Sequence, residues 1–138
     1  MTSNTTDDMA AAAFVVLPYV EVPADVSEIT IDPFTQFVVV NSLFDDVTVI
    51  LPAIDSDADG FTQNIRIVYQ SSRPGRRLFI EVADGSGDVI ALETDMDSVK
   101  IHSVNSNPIS IAPLIVLSTL GTVTTWNTIE TVGAWLDN

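Results

Sequence analysis

Asp55, Asp57 and Asp59 occupy alternate positions before Gly60 in LPAIDSDADGFTQNIRIVY, residues 51–69. Many calcium loops begin this way, because alternating carboxylates can converge on one oxygen-rich cage. An EF-hand then needs a bidentate glutamate at the twelfth loop position and a helix on either side. The twelfth position here is Arg66, inside the alternating run NIRIVY, and neither flank has helical periodicity. Three carboxylates this close repel one another unless water or a cation separates them, so a calcium turn of another kind is the alternative. So short a motif recurs by chance, and aspartate is abundant along the whole chain. The stretch therefore reads as an acidic turn between two strands, and no metal is assigned.

Other residue types offer less chemistry. The single histidine, His102, lies in the alternating run VKIHSV and points the same way as Lys100. That places it on a strand at a surface or an interface, not in a Ser-His-Asp arrangement whose base must be oriented by other side chains. Asp84-Gly85-Ser86-Gly87 reads as a hairpin loop, and no glycine-rich phosphate loop opens a helix. Glycoside cleavage needs two facing carboxylates, and spacing singles out no pair among the 19 acids. No catalytic residue or cofactor is assigned, and the chain is expected not to be an enzyme. One constellation stands apart: SSRPGRR, residues 71–77, carries three of the four arginines on a Pro-Gly turn. Either this is a solvated loop tip, or Arg73, Arg76 and Arg77 form a contact whose guanidinium forks pair with carboxylates of a neighbouring chain.

Composition narrows the classes. The 138 residues carry a formal charge of −14, from 19 acids against five bases. Nucleic-acid binding needs a basic face, which this balance cannot build. Hydrophobic residues make up 46% and charged residues 17%, so the chain is a folding sequence, long enough for one core. With no cysteine there is no disulfide framework and no thiolate site. AAAAFVVLPYV, residues 10–20, is apolar, but Asp7 and Asp8 precede it where a signal peptide needs positive charge. It is also too short to span a bilayer and contains Pro18, so membrane insertion is not expected.

The elements that must position these residues are strands. Runs rich in Val, Ile, Thr and Phe, closed by Pro, Gly, Asp or Asn, predict strands over 13–22, 27–31, 34–41, 46–51, 63–70, 77–83, 88–92, 98–104, 109–117 and 122–130. Ile65, Ile67 and Tyr69 share one face, and Leu78, Ile80 and Val82 share another, opposite Phe79 and Glu81. Only 132–137 suggests a short terminal turn. The expectation is an all-β domain, a single sandwich or barrel-like unit over 13–138, preceded by a polar N-terminal arm over 1–12. Phe37 to Val40 and Leu114 to Leu117 are apolar on both faces, which a small monomer has little interior to bury. A subunit interface accounts for that pattern.

FTQFVVVNSLFDDVTVILP, a polar loop ending in glycine and then NIRIVY together resemble the β-modules of bacteriophage tail fibres, spikes and head-decoration proteins. The ending PLIVLSTLGTVTTWNTI with Trp126, followed by Gly133-Ala134-Trp135, is similar to the closing strands of those modules. The resemblance covers roughly residues 30–135 and places DSDADG in the family's variable loop. SSRPGRR departs from the family, whose corresponding loops are shorter and rarely so basic. The resemblance implies a virion structural protein made in the host cytoplasm, usually a homotrimer, with the major capsid protein or other virion proteins as further partners. A long fibre needs a shaft and an attachment region, for which 138 residues leave no room, so a capsid decoration (cement) protein is favoured. The alternatives are a tail-fibre or spike module, and a carbohydrate-binding adhesin using Trp126 or Trp135 as a stacking platform.

Overall fold

The computed structural model describes residues 19–54, 63–93, 96–104, 112–119 and 124–137. The arm over 1–12, the triad Asp55, Asp57 and Asp59, and parts of the strands expected over 13–22, 109–117 and 122–130 lie outside the described residues. Within them the chain is all-β, with no helix: β1 (Tyr19–Val22), β2 (Glu28–Thr30), β3 (Phe37–Val40), β4 (Asp46–Ile50), β5 (Asn64–Tyr69), β6 (Arg77–Glu81), β7 (Val89–Glu93), β8 (Met96–Ser98), β9 (Lys100–Val104), β10 (Leu114–Ser118), β11 (Thr125–Val132) and β12 (Ala134–Asp137).

Two mixed sheets pack about one apolar core in a sandwich-like arrangement, a seven-stranded sheet ordered β1-β3-β5-β10-β11-β7-β8 and a five-stranded sheet ordered β12-β9-β6-β4-β2. β1, β3 and β5 run parallel in the first sheet, while β2, β4 and β6 run parallel in the second. Parallel neighbours need a crossover, and within these two sets each crossover is a strand of the opposite sheet in place of a helix. The first six strands thus wind as three stacked coils. Short turns make the first two crossings: Val26 N donates to Pro23 O at 3.1 Å between β1 and β2, and Thr35 N to Asp32 O at 3.0 Å between β2 and β3. The second half closes this stack with antiparallel strands, β10 on β5 and β9 on β6.

Period-2 alternation decides what is inside. Val38, Ile67 and Ile115 are register partners across β3, β5 and β10, and all three are fully buried. Val49, Ile80 and Ile101 make the matching ladder in the other sheet. Each such side chain contributes about 1.5–3 kcal/mol of burial, and a one-residue slip would turn a whole ladder to solvent.

Three sequence expectations need correction. Asp84-Gly85-Ser86-Gly87 does not close a hairpin, because it carries the chain from β6 in the five-stranded sheet to β7 in the seven-stranded sheet. Residues 132–137 are not a terminal turn: Gly133, at φ 81°, swings the chain out of β11, and β12 pairs antiparallel with β9 in the other sheet. Glycine adopts that left-handed backbone without strain. Trp135 then anchors the strand, its Nε1 donating to Leu114 O at 3.2 Å and Val132 O at 3.3 Å. The run expected as one strand over 98–104 is two strands, because the chain changes sheets at Val99, between β8 and β9.

Candidate functional site

The basic turn forms as its sequence dictates. Pro74 presets the backbone, Gly75 supplies φ 89°, and Arg76 N donates to Arg73 O at 2.9 Å. Those are the requirements of a type II turn. Arg76 then braces the loop, donating from Nη1 to Ser71 O at 2.9 Å. Arg77 enters β6 opposite Asp46 of β4 and pairs with it, Nε to Oδ1 at 3.2 Å and Nη2 to Oδ2 at 3.3 Å. Both side chains are about half exposed, at 50% and 55%, so water screens the pair and it contributes about 0–1 kcal/mol.

Beyond the turn, register aligns Thr48, Phe79, His102 and Leu136 on the outer face of the five-stranded sheet. Phe79 points outward yet is only 7% exposed. Its cover is cationic: the Arg77 guanidinium lies 5.0 Å and the Lys100 ammonium 4.7 Å from the ring centroid, with the His102 ring 5.5 Å away. Cations sit favourably over an aromatic face, and each such contact contributes about 0.5–1 kcal/mol at a surface. Between the Gly75–Arg77 turn and His102, Ser103, Val104 and Leu136 opens a pocket of about 480 Å³. Burial, and then the Arg77 charge, lower the pKa of His102, and Asp137 opposes them. The ring is therefore neutral near pH 7, and its Nδ1 is buried with no hydrogen-bond partner among the described residues.

Of the three arginines singled out by sequence, Arg76 and Arg77 line this pocket, whereas Arg73 closes the turn behind it. Lys100 and His102 do share one face, as their alternation implies, and both meet Phe79. Phe79 itself was the missed residue. Its signal was an aromatic in the outward phase of RLFIE, directly between Arg77 and Glu81.

A second surface lies on the outside of the seven-stranded sheet. Register sets Tyr19, Phe37, Arg66, Val116 and Glu130 in one row, and Glu21, Val39, Val68, Leu114 and Val132 in the next. A register shift at Val116/Leu117 inserts an extra residue, Ile129, which is 63% exposed. Tyr19 and Phe37 meet edge to face at 5.9 Å. Both tryptophans, in contrast, are core residues: Trp126 is fully buried and Trp135 nearly so, and neither offers an indole face for stacking. Among the described residues no three His, Asp or Glu side chains converge to hold a metal ion. Comparison with protein families and with curated proteins finds no match for this chain.

Proposed function

We propose that the chain is a non-enzymatic virion structural protein, a capsid decoration subunit that associates with copies of itself, as a homotrimer, and with the capsid protein beneath. One observation carries this reading: the outer face of the seven-stranded sheet. Its two central rows hold seven apolar or aromatic side chains and only three charges, Glu21, Arg66 and Glu130. On a chain of charge −14 this is a face where copies can approach without strong repulsion. A contiguous apolar patch rimmed by polar groups is what protein association uses. Arg66 also sits where it can meet a Glu21 or Glu130 carboxylate of another copy. The strands that carry the patch, β3 and β10, are those whose sequences are apolar on both faces. The Arg73, Arg76 and Arg77 turn projects from the other sheet and supplies a second contact.

A tail-fibre or spike module is the second reading. The three stacked coils favour it, because they end in the parallel edge strands β1 and β2, and a stacked coil is extended by adding another. Mixing purified protein with tailless heads and with isolated tails separates the two. Saturable decoration of heads supports the first reading. Binding confined to tails supports the second and overturns the first.

A further inference from the structure

We infer that the pocket framed by Arg76, Arg77 and His102 binds a carboxylate on an apolar stem, the acidic side chain of a partner polypeptide. This deepens the assembly reading, which supplies the partner. In a chain of charge −14, three of the five bases, Arg76, Arg77 and Lys100, gather with the single histidine around Phe79 and this pocket. Their donors are not used up. Arg77 commits Nε and one N–H of Nη2 to Asp46, which leaves three of its five N–H groups among the described residues, two of them on Nη1. Arg76 commits one N–H of Nη1 to Ser71 O, which leaves four N–H groups among the described residues, Nε and both of Nη2 included.

His102 adds a neutral donor. A proton on its buried Nδ1 would have no acceptor, so the proton belongs on Nε2. That tautomer is assigned from the hydrogen-bond pattern. Phe79 holds Arg77 and Lys100 over its ring before any ligand arrives, which reduces the ordering cost of binding. The remaining wall is apolar: Val104 and Leu136 are 37% and 52% exposed and suit the methylenes of a glutamate or its neighbours.

The same features argue against a small dianion. Inorganic phosphate would leave the apolar wall unused, and its second negative charge would add to the repulsion from an acidic molecule. Asp46 on β4 and Asp137 on β12 also stand near the site and raise the cost of a second negative charge.

The test is a titration of the ¹⁵N-labelled full chain, followed by NMR, with the peptide acetyl-Val-Glu-Leu-amide and its Gln counterpart. The Glu peptide should shift the amide signals of Arg76, Arg77, His102 and Leu136 saturably. The Gln peptide should bind about tenfold more weakly, since its amide oxygen still accepts but without the negative charge that strengthens bonds from the guanidinium groups. His102→Phe keeps a ring beside Phe79 and removes the Nε2 donor; it should weaken the Glu peptide several-fold, while His102→Gln, which retains a donor, restores part of the affinity. No saturable shift up to about 20 mM peptide, equal binding of the Gln peptide, or tighter binding of inorganic phosphate would each overturn the inference. Self-association uses the opposite sheet. A chain that oligomerises but ignores the peptide therefore refutes this pocket alone, and a monomer that binds it refutes the assembly reading alone.

Discussion

Tyr69 has its ring fully buried in the core and its hydroxyl without a partner among the described residues. Burial pushes its pKa up to about 12, with Asp46 and Asp45 adding to the shift and Arg76 opposing it. The folded value lies above the unfolded one, so the unfolded chain loses its proton first. Stability from this group is complete below pH 10 and is lost as pH rises from 10 through about 12, a loss of about 2–3 kcal/mol. Tyr69→Phe keeps the ring and removes the unpartnered hydroxyl. Urea midpoints should show it at least as stable as wild type at pH 8, with a shallower decline by pH 11; an unchanged decline would assign the alkaline sensitivity elsewhere. At the basic turn, the Arg76→Ala, Arg77→Ala double variant removes a screened ion pair and part of the cover on Phe79. It should stay folded, lose about 1–2 kcal/mol, and occupy particles more weakly than wild type. Normal occupancy would reduce the turn to a solvated loop tip. Sequence showed the arginine cluster plainly, but not its partners. Asp46 and Ser71 are brought to it by strand pairing and loop closure, which one-dimensional spacing does not encode.

β12 is the element whose role was least visible. AWLD is short and follows directly on β11, so no composition change marks its start. What creates it is a glycine at positive φ and an indole that reaches two backbone carbonyls. Trp135→Ala should therefore cost ~3 kcal/mol and expose the edge of β9, seen as faster amide exchange at residues 101–103 than elsewhere in the sheet. Protection equal to wild type would show that β12 holds without its anchor. By contrast, β5 and β6 were legible because Ile65, Ile67 and Tyr69, and Leu78 and Ile80, alternate without interruption and are all buried. β3 and β10 were legible in a different way. Their apolar character on both phases predicted apolar residues on the outward side as well, and the structure gives those outward residues, Phe37, Val39, Leu114 and Val116, one shared face. The parallel stacking of β1 to β6 was not readable, because alternation fixes which face of a strand is apolar and says nothing of which strand lies beside it.

Charge governs the behaviour of the whole molecule. Nineteen acids on 138 residues repel one another in the folded state more than in an expanded chain. Raising salt until the Debye length falls from ~30 to ~10 Å should raise the melting temperature, and a flat or falling trend would show that the acids are already compensated. Screening also favours association of like-charged copies, so the same series should strengthen the proposed self-association. On the proposed reading the sandwich divides the labour: the outer face of the seven-stranded sheet would meet copies of the chain, and the Arg turn, Phe79 and His102 on the five-stranded sheet would meet another acidic partner. Sedimentation equilibrium of the full chain, beside Val116→Asp, tests this most directly. Val116 is half-buried on the outer face, so a carboxylate there leaves the core intact while charging the centre of the patch. The expected result is a closed oligomer, a trimer of the 14.9 kDa chain, at micromolar concentration, and a folded monomer for the variant. A wild-type chain that sediments as a stable monomer, or a variant that assembles as well as wild type, would contradict it.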